Sequence, residues 1–364
     1  MSQRRANAAI DVLVVDDSAV TRQVLTELLS HTPGFVVRTA SDPLLALEKM
    51  KQRRPDVVVL DLEMPRMSGL DFLRKLMVED PLPVVICSAF APRGTELALV
   101  ALEAGAINLF PKPQTGLKQF FEGAAGDLIE ILRGAAEAKI ARRSRTTTAA
   151  SSRMAPVHAP RPVPLTTATR AGALLVIGAS AGGTDAIRAV LEALPADGPP
   201  IAIVLHMRPE FMSPFARRLD GACPQRVRVA QHGERLENGS ALFAPGGRHL
   251  ALVHRADGYF AEIQDGPPVN RHRPSVDVLF RAAAIAAGAN AVAILLTGMG
   301  VDGAAGMVEL RTAGAYTIAQ DEASCVVFGM PKEAIARGGA GVVAPLGRIG
   351  AMALQAAQTG PRRP

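Results

Sequence analysis

Residues 174–183, LLVIGASAGG, constrain this chain more than any other stretch. The apolar run 173–177 stops at Gly178, Ser180, Gly182 and Gly183, which predicts a buried strand entering a tight turn. Ile187, Val190, Leu191 and Leu194 follow at three- and four-residue spacing, which predicts a helix. The unit is strand, sharp turn and helix with one hydroxyl at the apex. A dinucleotide fingerprint needs glycine where Ser180 stands, so that reading fails where pyrophosphate must approach the backbone. Gly178, Ser180 and Gly182 instead satisfy G-x-S-x-G, which lifts a serine hydroxyl clear of a sheet ahead of a helix N-terminus. A structural serine in a Gly-rich turn is the competing reading, and this stretch alone does not separate the two.

A nucleophilic serine needs a base. The seven histidines are His31, His158, His206, His232, His249, His254 and His272, and no pair has zinc-ligand spacing. His206 stands apart because it closes a second buried-strand pattern, residues 201–205. Functional groups of open α/β sheets gather outside the carboxyl ends of strands. Residues 291–296 form a third such run, followed by a Gly-rich turn carrying Asp302, a carboxylate suited to orient an imidazole. One Ser, one His and one Asp, each beyond a strand end, favour a serine hydrolase.

The first third of the chain repeats the logic with different chemistry. Apolar runs at 10–15, 35–38, 57–60, 82–86 and 106–110 alternate with helical patterns such as 43–50, predicting a doubly wound parallel α/β sheet. Asp16 and Asp17 close the first run and Asp61 the third. Three carboxylates at the carboxyl ends of two strands are costly without a cation among them. Oxygen ligands alone point to Mg²⁺ and phosphate chemistry. Ser88 and Lys112 close the fourth and fifth runs, where they suit phosphate oxygens, and a carboxylate in such a site can accept a phosphoryl group.

A length of 364 residues predicts two domains. The formal charge of +6 does not point to nucleic acid, because residues 138–170 hold seven basic residues and no acid, leaving the rest near neutral. That segment, rich in Ser, Thr, Pro and Ala, reads as a flexible basic linker. No Trp and 4% aromatics disfavour base stacking, and no recognition helix follows the first domain. No run is long enough to span a membrane, the N-terminus has no signal-peptide core, and three scattered cysteines suit a reducing compartment. A cytoplasmic protein without membrane insertion is expected.

Two resemblances attach to these residues. Residues 10 to about 130 resemble a response-regulator receiver domain, which implies a flavodoxin-like fold. It implies Asp61 as phosphoacceptor, Asp16, Asp17, Asp61 and the Glu63 carbonyl as Mg²⁺ ligands, Ser88 and Lys112 as phosphate-sensing residues, and a histidine kinase as phosphodonor. Leu109 stands where receivers often carry a switch aromatic, and Phe110 is out of register. The second domain is similar to the catalytic domain of the chemotaxis protein-glutamate methylesterases, the CheB family. The matches are IGASAGG, LHM (205–207), APGGRHL (244–250), PSVDVLF (274–280), TGMGVDGA (297–304) and AQDEASCVVFGMPKEAI (319–335). The resemblance implies a Rossmann-like domain with Ser180, His206 and Asp302 as catalytic triad, and hydrolysis of glutamate methyl esters on chemoreceptors without a cofactor for that step. Glutamine deamidation is a further implied activity. Backbone amides of Ala181 and Met299 are the oxyanion-hole candidates. Expected boundaries are 8–132 for the receiver, 133–171 for the linker and 172–358 for the catalytic domain. A binding protein with an unused esterase fold and a dinucleotide enzyme remain the alternatives.

Overall fold

The computed structural model describes residues 9–88, 92–112, 125–140 and 169–359. In the first domain β1 (Ile10–Val15), β2 (Phe35–Ala40), β3 (Val57–Leu60), β4 (Val84–Ser88) and β5 (Asn108–Pro111) form one parallel sheet in the order β2-β1-β3-β4-β5. Among the described residues, helices α1 (Ala19–Ser30), α2 (Pro43–Gln52), α3 (Gly69–Glu79), α4 (Pro92–Glu103) and α5 (Ala125–Ala136) accompany it. Helices on both faces explain why Val12–Val15 of β1 and all of β3 read as unbroken valine and leucine runs rather than alternating ones. Ser18, Asp42 and Ser68 cap α1, α2 and α3 by accepting backbone N–H bonds, so these helices start where the sequence offers a short polar side chain. Chain order reverses between β1 and β3, the switch point outside which such sheets hold ligands.

The second domain is built on a seven-stranded parallel sheet ordered β14-β13-β12-β6-β7-β9-β8. Its strands are β6 (Leu174–Ala179), β7 (Ile201–Leu205), β8 (Arg226–Val229), β9 (Ser240–Phe243), β12 (Ala291–Leu295), β13 (Tyr316–Gln320) and β14 (Val342–Ala344). A separate antiparallel hairpin, β10 (His249–Arg255) with β11 (Gly258–Gln264), packs beside it. The helices are α6 (Gly183–Glu192), α7 (Pro209–Asp220), α8 (Val276–Ala286), α9 (Ala304–Thr312), α10 (Met330–Ala336) and α11 (Leu346–Thr359). β6, β7 and β12 are buried at every position, as central parallel strands must be. The chain leaves β6 toward β7 on one side and returns to β12 on the other, so the switch point lies between β6 and β12.

Both domains thus have the doubly wound parallel architecture expected from the sequence, with differences at element ends. The fourth strand begins at Val84 rather than Leu82, because Pro81 and Pro83 flank Leu82 and offer no amide to the ladder. The fifth begins at Asn108 rather than Ala106. The expected linker start at 133 falls inside α5, which continues to Ala136 because Leu132 and Ala135 are buried. Lys139 already belongs to the second domain's surface: its N–H donates to Val326 O (2.9 Å) and its Nζ pairs with Glu322 (2.7 Å). Arg170 is tied to that domain through the Ala357 and Ala289 carbonyls. Most of the expected linker lies outside the described residues. The hairpin was not anticipated; its signal is Asp257-Gly258 between apolar stretches, with Gly258 at φ 134°.

Candidate active site

Ser180 and His206 follow neighbouring strands in register. Ala179 pairs with Leu205, and the His206 N–H donates to Ala179 O (3.1 Å). Gly182 adopts a left-handed φ of 73°, which lets the chain fold from Ser180 into α6, and a side chain on Gly178 would collide with Val276. Asp302 comes from the loop after β12, the strand on the other side of β6. His206 Nε2 donates to Asp302 Oδ2 at 2.9 Å, and the imidazole is 8% exposed. An ionised carboxylate only accepts, so the proton of a neutral His206 sits on Nε2 and Nδ1 carries the lone pair. Nδ1 is buried and has no hydrogen-bond partner among the described residues.

Asp302 is fully buried. Burial pushes its carboxyl up, but the His206 contact and the bonds from Asn270 and Ser275 outweigh burial and hold it well below the usual carboxylate range. Ser275 Oγ (2.7 Å) and Asn270 Nδ2 (2.8 Å) donate to Oδ1, and the Val276 N–H (2.7 Å) donates to Oδ2. The Asp277 N–H adds a longer contact of 3.2 Å to Oδ1. Val276 and Asp277 open α8, so the carboxylate sits at a helix N-terminus, where unpaired amides favour an anion. Sequence reasoning noted the stretch 274–280 without giving it this role. Asn270 and His272 were missed as well. The His272 ring stacks on His206 with centroids 3.7 Å apart and planes 15° from parallel.

The loop from Thr297 to Gly300 lies against the serine turn. The Ser180 N–H donates to Thr297 O (3.0 Å), and Thr297 Oγ1 donates to Ala181 O (3.0 Å). The segment 327–330 clamps this loop: Gly298 N–H donates to Val327 O, and the Gly329 and Met330 amides donate to Gly298 O. Gln320 Oε1 accepts the Thr297 N–H (2.8 Å). The stretch 319–335 therefore fixes the backbone of Met299 beside Ser180. Ala181 and Met299 both border the cleft that holds Ser180 and His206.

In the first domain, carboxylate oxygens of Asp16, Asp17 and Asp61 lie within 4.8 Å of one another. Lys112 Nζ reaches Asp61 Oδ2 (2.6 Å) and Asp16 Oδ2 (3.2 Å). Burial pushes the Asp61 carboxyl up to about 6 even against Lys112, and raises Asp16 for the same first reason. Three carboxylates facing one ammonium leave room for further positive charge, and an all-oxygen set suits a hard divalent cation. The Glu63 N–H donates to Asp61 Oδ1 (3.2 Å). Ser88 closes β4 as expected, and its side chain lies outside the described residues. Leu109 and Phe110 are both buried.

The two domains meet over Ser180. A cleft of about 630 Å³ has Ser180, His206, His272 and Met299 on one wall and Phe110, Glu130, Ile131 and Gly134 on the other. Gly134 rests so closely on Met299 that a side chain there would collide with its sulfur. Arg271 pairs with Glu130. Arg218 of α7 holds Glu103 of α4 through Nε (3.2 Å) and Nη2 (2.5 Å), with Glu96 at 3.8 Å. Among the described residues, no helix is long and apolar enough to cross a membrane.

Fold and strand-end residues together define a response regulator whose output is a second α/β domain. Family models agree: residues 12–120 match the response regulator receiver domain, and residues 175–353 match CheB methylesterase. A protein-glutamate methylesterase/protein-glutamine glutaminase of Anaeromyxobacter dehalogenans is 53% identical over 345 residues, covering 94% of this chain and 98% of its own. A relative of the same name from Xanthomonas campestris pv. campestris is 52% identical over 343 residues, covering 93% and 97%. The crystal structure of the Thermotoga maritima CheB methylesterase catalytic domain matches with a TM-score of 0.50 at 35% identity, covering 51% of this chain and 99% of that one. The chain belongs to the protein-glutamate methylesterase/protein-glutamine glutaminase family.

Proposed function

We propose that this protein is a phosphorylation-activated serine esterase that removes methyl groups from glutamate side chains of chemoreceptors, releasing methanol during chemotactic adaptation. The observation that carries the reading is that His206, which lines the same cleft as Ser180, bonds through Nε2 to a buried, multiply hydrogen-bonded Asp302, which leaves Nδ1 as the free base. Ser180 Oγ attacks the ester carbonyl carbon while Nδ1 takes its proton. Asp302 stabilises the imidazolium that forms. Amides of Ala181 and Met299 hold the developing oxyanion; one such donor contributes about a hundredfold or more in rate. The tetrahedral intermediate collapses, methoxide leaves with the proton from His206, and water then cleaves the glutamyl-enzyme by the same base. A glutamine side chain follows the same route with ammonia as leaving group, which fits the glutaminase half of the relatives' name. No cofactor takes part in this step.

Asp61 accepts the phosphoryl group from a histidine kinase, with Asp16, Asp17, Asp61 and the Glu63 carbonyl as Mg²⁺ ligands. When bound, the cation supplies charge neutralisation for phosphoryl transfer. Lys112 and Ser88 hold the phosphate. The receiver covers the cleft before phosphorylation, and added charge at Asp61 weakens that docked state. The reaction places the protein in the cytoplasm beside receptor signalling domains, without nucleic acid and without insertion into the membrane. The test is methanol release from methylated receptor fragments by the full-length protein. Turnover should rise with a small-molecule phosphodonor and vanish in Ser180→Ala. Absence of methanol under both conditions overturns the reading.

A further inference from the structure

The reversal at residues 269–272 touches both partners of Ser180. The His272 N–H donates to Val269 O (2.9 Å) and the Val269 N–H to His272 O (3.0 Å). Between them Asn270 and Arg271 have φ of 49° and 67°. Two central residues in the left-handed region make a two-residue turn of type I′, where asparagine is favoured and arginine is not. From this turn the Asn270 amide donates to Asp302 Oδ1 (2.8 Å) and to Asp277 Oδ2 (2.7 Å). Two residues later His272 lies flat on the His206 ring.

The His206–Asp302 bond fixes one edge of the imidazole but leaves the ring free to swing about that bond. A second ring stacked on its face opposes the swing. We propose that the 269–272 turn is a positioning device for the Ser180 chemistry. Asn270 sets the Asp302 carboxylate and His272 sets the plane of His206, so that Nδ1 stays presented to Ser180. The inference rests on the assignment of Ser180, His206 and Asp302 made above. His272 transfers no proton in this scheme. Burial first, and the neighbouring His206 second, hold its own titration down at about 3, so it stays neutral and does not repel the imidazolium that forms on His206.

Three full-length variants separate the parts. His272→Phe keeps an aromatic face and removes the ring nitrogens; His272→Ala removes the face; Asn270→Gly keeps the left-handed turn and removes the amide. With phosphodonor present, His272→Ala should lose about tenfold to a hundredfold in kcat with KM nearly unchanged, because a misaimed base affects the chemical step. His272→Phe should recover most of that loss, and Asn270→Gly should lie between wild type and His272→Ala. NMR line shapes of the His206 ring give a readout that needs no substrate: one ring orientation in wild type and His272→Phe, exchange broadening in His272→Ala, with Nε2 protonated in all three. The positioning role is overturned if His272→Ala keeps wild-type kcat and a single His206 ring orientation. It is equally overturned if His272→Phe is as impaired as His272→Ala, since a ring nitrogen rather than a face would then matter.

Discussion

Replacing Arg218 with glutamate reverses the charge that joins α7 of the catalytic domain to α4 of the receiver. Arg218 is 31% exposed and Glu103 44% exposed, so solvent screens the pair, and its loss costs the docked state about 1 kcal/mol. The new carboxylate faces Glu103 and Glu96, adding repulsion of similar size. Together these favour the open state by about 2 kcal/mol, roughly a thirtyfold change in the docking equilibrium. Unphosphorylated full-length Arg218→Glu should therefore release methanol up to about thirty times faster than wild type, with a correspondingly smaller response to phosphodonor. The assay is initial rate on methylated receptor fragments without phosphodonor. Two controls confine the effect to docking. Residues 172–364 alone, comparable in extent to the Thermotoga catalytic domain, should turn over at the same rate with or without the substitution. The double variant Glu103→Arg with Arg218→Glu should return toward wild type. Raised salt should also move wild type toward the variant. An unphosphorylated Arg218→Glu protein no faster than wild type would refute the reasoning.

Asp302→Asn places an amide NH₂ among donors that now converge on a carboxylate. It should lower unfolding free energy by about 1–3 kcal/mol in denaturant titration and cut kcat by about 10⁴-fold. Asp61→Asn should take up no phosphate from a labelled phosphodonor; label retained at the wild-type level would move the acceptor elsewhere. His272 contributes a pH dependence whose sign follows from its depression from 6.5 to about 3. The unfolded chain binds a proton below 6.5 that the folded protein refuses, so this stability is complete above 6.5 and is lost as pH falls toward 3. Melting temperatures across that window should fall less steeply in His272→Phe, and identical slopes would count against a buried neutral His272.

Most of the sheet architecture was legible because parallel strands covered on both faces are unbroken apolar runs, and residues 12–15, 57–60, 174–177 and 201–205 are such runs. Ser180, His206 and Asp302 could be picked out for a related reason: the first two sit just beyond two of those runs and Asp302 in the turn after a third, residues 291–296, and β6, β7 and β12 are adjacent. Asn270 and His272 lie in a loop far from any strand end on the parallel sheet, and nothing in their spacing marks them. Their part emerges only once the turn folds back onto β7 and the loop after β12. The left-handed pair Asn270-Arg271 gives no signal either, since arginine is a poor marker of positive φ. That α5 would supply the contact between the domains was equally hidden, because Gly134 against Met299 joins sequences that carry no shared pattern.

The central claim is that Ser180 attacks the ester through the free Nδ1 of His206. Rapid quenching of phosphorylated protein with methylated receptor fragment, followed by peptide mass analysis, tests it most directly. The account predicts a glutamyl adduct on the peptide containing Ser180, absent from Ser180→Ala, whose methanol release is abolished. Wild-type methanol release from Ser180→Ala, or an adduct on any other side chain, would contradict it.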